Sequence, residues 1–544
     1  MENPRDIKKE TKLLFGLLTK KFSNKGEAYL SFNWTKIILL ICFLFILAWL
    51  GLATLLFGYF KFAKEYDEVK YTDMLFLPFN YGEHKKAMGN YHVQSGLEAI
   101  KDNNFRDGIR LLRIGLIRSP GNLEGLITMA QIYEYVLRQK NVANELYLSG
   151  FKYNGIHNED FARASLESLL RNEMDSEIID LANEYLPSEF KKGDNKNYQT
   201  LAFAAATSTF FKGNFDKADD YINTFELNES IDGIVLSSKI SWDRGNKFSA
   251  IKKLESALYK FSNSDLLYAQ LSLFYREIDD FDSSRRYAQL RNIKAPLDPN
   301  PIIELIYLYD KYNEVSKVTE YSRQIIENFT DNESAIYQLA NFAASSGKIN
   351  IAQYCYELAL EKDYALQNFA LSLIESHISC KDYEGAIVFC NELISENPKW
   401  LKSEWHIFNS LRALASFGIN RPDLGEIYLD EFLNTPNINV ASFLAVSKRF
   451  IDSELLPQAK LILETAYPLQ EENQRILNDL IRINLSLGHT EDLGSQIKKL
   501  LKTRRPDLEL LRNAYNKLGS DRFLFTNNRT AILMELGAIL RQQR

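Results

Sequence analysis

The chain holds very little that could do chemistry. Only four of its 544 residues are cysteine: Cys42 sits in an apolar run, and Cys355, Cys380 and Cys390 sit in helical patterns. Three cysteines cannot all pair and no C-x-x-C occurs, so they read as small buried apolar residues rather than as a disulfide framework or a thiolate metal site. The six histidines (His84, His92, His157, His377, His406, His489) are scattered, with only the first two close together. There is no H-E-x-x-H, no G-x-x-x-x-G-K-S/T, no strand-led G-x-G-x-x-G and no G-x-S-x-G. Paired acids such as Asp219–Asp220 and Asp279–Asp280 fall at helix boundaries, where helix-start electrostatics account for them. The expectation is a non-enzyme with no catalytic residue, no cofactor and no metal.

A basic field is also missing. The net charge is −6, and residues 1–36 alone carry +4, which leaves −10 for the rest. A mildly acidic body lacks the cations that phosphate binding needs, so nucleic acid is not an expected partner. At this length one compact core is also excluded, and several domains or a repeat array must bury the apolar residues.

What is present begins with one long apolar run. Ile37–Phe60 is 24 residues without a charge. At about 1.5 Å per residue that is roughly 36 Å of helix, enough to cross a hydrocarbon layer of about 30 Å with some tilt. Trp34 and Tyr59 lie near its ends, where amphipathic rings settle. The run is too long, and starts too far into the chain, for a cleaved signal peptide. The expectation is a single-pass membrane protein. Eight cations in the 1–36 tail favour a cytoplasmic tail and an extracytoplasmic body, periplasmic in a bacterium. Within that tail "KKETKLLFGLLTKKF" is read as an amphipathic helix, with Leu13, Leu14, Leu17, Leu18 and Phe22 towards acyl chains and Lys8, Lys9, Lys12, Lys20 and Lys21 towards headgroups. Gly51, Thr54 and Gly58 place small residues on one face of the span, a weak signal for self-association. Residues 61–88 form a juxtamembrane linker whose aromatic stretch "YTDMLFLPFNYGEHKK" is expected on the membrane surface or against the first repeat.

The stretch "GKINIAQYCYELALEKDY" (347–364) then gives the architecture. A small residue, a bulky one four later and another inward position seven later recur along the chain. The first of these falls at Gly108, Ala143, Ile178, Ala218, Ala250, Ser284, Val318, Ala352, Ala386, Gly425, Ala459 and Gly494. The intervals cluster at 34 and 35, and a second apolar helix precedes each mark. One such helix pair cannot bury its apolar stripe alone; stacked pairs can, and small residues let the neighbours approach. The 40-residue step holds the polar stretch 186–197 and the 39-residue step holds "ENPKWLKSEWHIF" and "FGINRP". Breaks near 187–198 and 398–422 are therefore expected.

This pattern resembles the tetratricopeptide repeat family, most clearly in "GKINIAQYCYELAL", "KDYEGAIVFCNELISENP" and "NNFRDGIRLLRIGLIRSP", where Pro398 and Pro120 fall twelve residues after the mark. The resemblance implies an all-α fold over residues 89–544, a right-handed α-solenoid of about 12–13 helix-turn-helix units preceded by one transmembrane helix. "AILMELGAIL" reads as a capping helix. The family's first helices line a concave groove that binds peptides or partner helices. Carried over by spacing, that groove would present Phe203, Phe210, Trp242, Arg276, Tyr307, Tyr337, Asn341 and Glu375. Tyr337 and Asn341 stand where a carboxylate clamp would need its Lys/Asn pair, which argues against binding of chain-terminal carboxylates. The implied function is a membrane-anchored scaffold or adaptor for a partner protein, in envelope assembly, secretion or polysaccharide export. The alternative is a permanent structural subunit of a larger membrane complex. Self-association through the span or the solenoid is a further possibility.

Overall fold

The computed structural model of the chain describes residues 11–22, 28–64, 66, 69–191 and 193–542. Its first element corrects the sequence expectation. In place of an amphipathic helix, β1 (Thr11–Leu13), β2 (Leu18–Phe22) and β3 (Ala28–Phe32) form an antiparallel meander. Leu13 pairs with Leu18, and Leu18 with Phe32. Between the paired strands Leu14, Phe15 and Gly16 all take positive φ, which reverses the chain where a helix would have continued. Lys8 and Lys9 lie outside the described residues.

The apolar run forms α1 (Trp34–Gly58), started by the Asn33 side chain, which accepts from the Lys36 N–H at 3.3 Å. It continues through one wide turn, Tyr59–Ala63. From Ile38 to Leu47 its large side chains are mostly exposed, and the helix is long and apolar enough to cross a membrane. Two elements follow: α2 (Tyr71–Leu75) and α3 (Leu77–Lys101). α2 packs on α1, closing over Ala53, and Met74 is fully buried there.

From α3 onward the chain is a succession of helix pairs; within each of the two compact units most helices pack on their sequence neighbours, and first helices also touch the next first helix (Glu333–Ser346 against Leu366–Ser379, for example). All twelve marked residues are buried in second helices. One device recurs. The residue five before the mark takes a left-handed conformation in eleven of the twelve turns: Asn103, Arg138, Glu173, Gly213, Gly245, Asp279, Asn313, Gly347, Lys381, Asn420 and Glu454. In the last pair Gly488 does so one residue earlier. A single left-handed residue ends one helix and aims the next, so a fixed spacing between turn and mark follows from backbone geometry. Asparagine and aspartate side chains then start the second helices, as Asn104, Asn214 and Asp382 do, each accepting from the N–H three residues on. The capping unit is a complete pair, Leu508–Leu518 and Arg529–Gln542.

The chain divides into two compact units, Met1–Pro187 with Lys191–Ala204, and Ser188–Phe190 with Ala205–Arg544. In the first unit, α3 and helix Phe105–Arg118 are pressed together by glycine. A Cβ on Gly115 would lie 2.8 Å from the Gly89 carbonyl oxygen, and one on Gly96 3.0 Å from the Leu112 nitrogen. Only glycine permits backbones to approach this closely. At the 39-residue step in the second unit, the added residues form a short turn, Lys399–Lys402, ahead of a first helix of ordinary length, Trp405–Gly418.

The second unit also makes one contact far outside the nearest-neighbour pattern. The loop after helix Leu493–Leu500 reaches the turn that follows Phe211. The Arg505 N–H donates to the Phe211 carbonyl at 2.6 Å, and its guanidinium donates to Asp243 at 2.8 Å across 262 residues of sequence. That guanidinium also lies 5.0 Å from the Phe215 ring, and the Arg504 guanidinium lies 4.2 Å from the Phe211 ring. Gln474 holds the loop by donating to the Arg504 and Arg505 carbonyls.

Candidate functional site

First helices offer one stripe to the next pair and another to the inner face of the array. The residues expected there by spacing divide into three groups. Trp242 is core: it is 8% exposed and stacks on Phe274 with 3.9 Å between centroids and 5° between planes. The Lys247 ammonium lies over the ring, 5.1 Å from its centre. Its reading as a partner-binding residue is corrected, because the neighbouring phenylalanine offers a larger apolar partner than solvent does. Phe203 and Phe210 are half-buried, and Phe210 leans on Phe211 and Phe215 at 5.6 and 5.9 Å. Phe203 belongs to the first unit, the remaining seven to the second. Arg276 is half-buried, in the last turn of helix Asp265–Glu277.

The third group comes together. Tyr307 is 41% exposed and stands edge-on to Phe342 at 5.0 Å. Tyr337, half-buried, stands edge-on to Phe369 at 5.8 Å. Asn341 is exposed, and its side-chain oxygen accepts from the Ser372 hydroxyl at 3.5 Å. Glu375 accepts from the Arg449 guanidinium at 2.7 Å, although 74 residues and one intervening first helix, Trp405–Gly418, separate them in sequence. Both members are about a quarter exposed. Burial works to lower the Arg449 pKa, but the Glu375 hydrogen bond and charge, with Tyr337 adding to them, hold it above the ordinary arginine value. The guanidinium therefore stays charged. An inner face curved enough to join first helices two pairs apart presents a narrow strip: aromatic rings at Tyr307 and Tyr337, an amide at Asn341, and a charge pair at its floor.

Spacing missed Arg449, Phe211, Asp243 and the Arg504–Arg505 doublet. The doublet carried one signal, two arginines immediately before Pro506, where the repeat closes. Arg449 carried none, because its partner is set by curvature. Among the described residues no group of three or more His, Cys, Asp or Glu side chains is placed to hold a metal.

No family model matches the sequence, and no curated protein matches it. Solved structures are similar to it at low identity and low TM-score. Against PilF of Pseudomonas aeruginosa the identity is 12% and the TM-score 0.27, covering 45% of this chain and 94% of that one. A tetratricopeptide repeat protein from Parabacteroides merdae gives 15% and 0.28 over 46% of this chain and 97% of that one. A chain of the Naa15/Naa10 complex bound to HypK-THB gives 12% and 0.27 over 84% and 80%.

Proposed function

We propose that this protein is a non-enzymatic scaffold that α1 anchors in a membrane and whose second unit binds a segment of a partner protein along its inner face. The observation that carries the reading is the strip formed by Tyr307, Tyr337, Asn341 and the Glu375–Arg449 pair. Its aromatic rings are partly exposed yet supported from behind by Phe342 and Phe369. Supported tyrosines and a partly desolvated arginine are the residue types that dominate interface energies. Anchoring adds to affinity without adding contacts, since a tethered site raises the local concentration of whatever it binds. The excess of cations in the tail favours a cytoplasmic tail with the helix pairs on the opposite side. Envelope assembly, secretion and polysaccharide export are settings that use such an arrangement.

The test is site-specific photocrosslinking in the native host, with the photoreactive residue at Tyr307 or, as a control on a second helix, at the 83% exposed Phe248. One protein captured from Tyr307 but not from Phe248, and lost on Glu375→Lys, is the expected result. Equal capture from both positions would end the groove reading. Native mass after detergent extraction separates the rival: one fixed-stoichiometry assembly means a permanent subunit, and a lone chain means an adaptor.

A further inference from the structure

We propose that residues 71–82 form a re-entrant hairpin that dips into the lipid beside α1, so that the membrane domain is a span plus a half-inserted loop. This rests on the anchoring role given to α1. Three observations carry it.

The first is depth. The Trp49 indole N–H donates to the Leu75 carbonyl at 2.7 Å, and the Tyr71 hydroxyl meets Thr54 Oγ1 at 3.2 Å. α2 thus runs back along α1, with its end level with Trp49. Trp49 stands near the middle of the uncharged stretch between Lys36 and Lys61. At about 1.5 Å per residue that stretch is roughly 37 Å long, so any placement of a hydrocarbon layer of about 30 Å inside it leaves Trp49 at least about 10 Å from the nearer edge. If α1 spans, the tip of the hairpin is in lipid.

The second is the surface of the tip. From Met74 to Gly82 there is no charge. Phe76, Phe79 and Tyr81 are 51%, 88% and 63% exposed. Three aromatic rings turned outward at a helix-to-helix corner have no ring partner among the described residues, and lipid at the depth of Trp49 supplies one. The nearby acid Asp73 is turned inward, where it accepts from the Lys70 N–H and lies within electrostatic reach of His84.

The third is the backbone. Irregular chain survives in hydrocarbon only if its polar groups are paired. At the corner the Phe76 carbonyl accepts from the Phe79 and Asn80 N–H groups, and the Phe76 N–H donates to the Thr72 carbonyl. The Leu75 carbonyl is taken by Trp49, which also satisfies the indole. Thr54 bonds to the Leu50 carbonyl as well as to Tyr71, so its hydroxyl is engaged within the chain. Of the three small residues on that face only Gly51 and Gly58 stay open.

The experiment uses the full chain with its four cysteines replaced by alanine, reconstituted in phosphatidylcholine–phosphatidylglycerol vesicles. A fluorophore is attached at Phe79→Cys, at Leu44→Cys within α1, or at Tyr259→Cys, which is 94% exposed on the helix-pair array. Far-ultraviolet circular dichroism confirms that each variant folds. Quenching is read with a nitroxide on the lipid acyl chain and with aqueous iodide. The expected result is acyl-chain quenching at residues 79 and 44 and not at 259, with iodide at least five-fold less effective at 79 than at 259. If 44 is lipid-quenched while 79 is open to iodide, the hairpin is refuted and the anchor stands. If neither responds to the acyl nitroxide, the anchor falls and the hairpin with it.

Discussion

Cutting the long-range contact at Arg505 gives the sharpest test of how the second unit holds together. In a stack of helix pairs stability is a sum of local terms, each pair feeling only its neighbours. The Arg505–Asp243 bond crosses that rule. Its partners are each about a quarter exposed and 2.8 Å apart. That places it between a surface ion pair, worth about 0.2–1 kcal/mol, and a charge-assisted hydrogen bond, worth about 1.5–3 kcal/mol. A coupling of about 1–2 kcal/mol follows, provided the curvature of the array already brings the two ends together. The assay is a double-mutant cycle of Arg505→Ala and Asp243→Ala, read by native-state hydrogen exchange at residues 211–215. A global unfolding curve would mix the two units. Each single change should speed exchange there roughly five- to thirty-fold, since about 1.4 kcal/mol is a factor of ten. The double change should add little more, and 1 M salt should shrink the coupling. Additive single effects, with coupling below about 0.3 kcal/mol, would refute the claim that these side chains close the unit.

Four further outcomes are expected. Trp242→Ala should cost about 3–5 kcal/mol of stability by emptying the stack on Phe274, whereas Tyr307→Ala should leave the urea midpoint nearly unchanged and weaken only partner capture. At the turns, Lys381→Gly and Glu454→Gly should each stabilise by about 1 kcal/mol by relieving a left-handed side chain. Gly347→Ala should destabilise by more than that, because its Cβ would sit 2.9 Å from Cys380 atoms at φ +64°; thermal melts decide all three. Maleimide at pH 8 should label exposed Cys380 and leave Cys355 and Cys390 untouched until urea unfolds the chain. Burial pushes both of those thiols up to about 12. Those two thiols, with Tyr147, Tyr275 and Tyr309 also pushed up to about 12 by burial, have folded pKa values above their unfolded ones. Their contribution is therefore complete below about pH 9 and is lost as pH climbs towards 12, so urea midpoints should fall steeply across that window.

The repeat was legible because it is written in backbone terms. A left-handed turn residue five positions before a buried mark is a constraint each pair meets alone, and Gly347 with Ala352 shows it in clear sequence. It was harder to read at Glu173 and Ile178 or at Asn313 and Val318, where a bulky residue fills the marked position. The residues of the shared inner face were partly legible. Spacing puts Tyr307, Tyr337, Asn341 and Glu375 on one face, but it says nothing of how tightly that face curves. Trp242 packs instead on Phe274 of the next first helix, and curvature brings Arg449 to Glu375 across an intervening one. The tail misled because its leucines and lysines suit a helix, and three consecutive positive-φ residues, Leu14, Phe15 and Gly16, are set by the strands on either side.

The loop seated on Phe211 and Asp243 has a consequence for local opening. The Arg505 bonds tie residues 211–243 to a late turn of the same unit, so a local opening at either place has to break them first. Fraying at the two places then rises and falls together, although 262 residues of sequence separate Asp243 from Arg505.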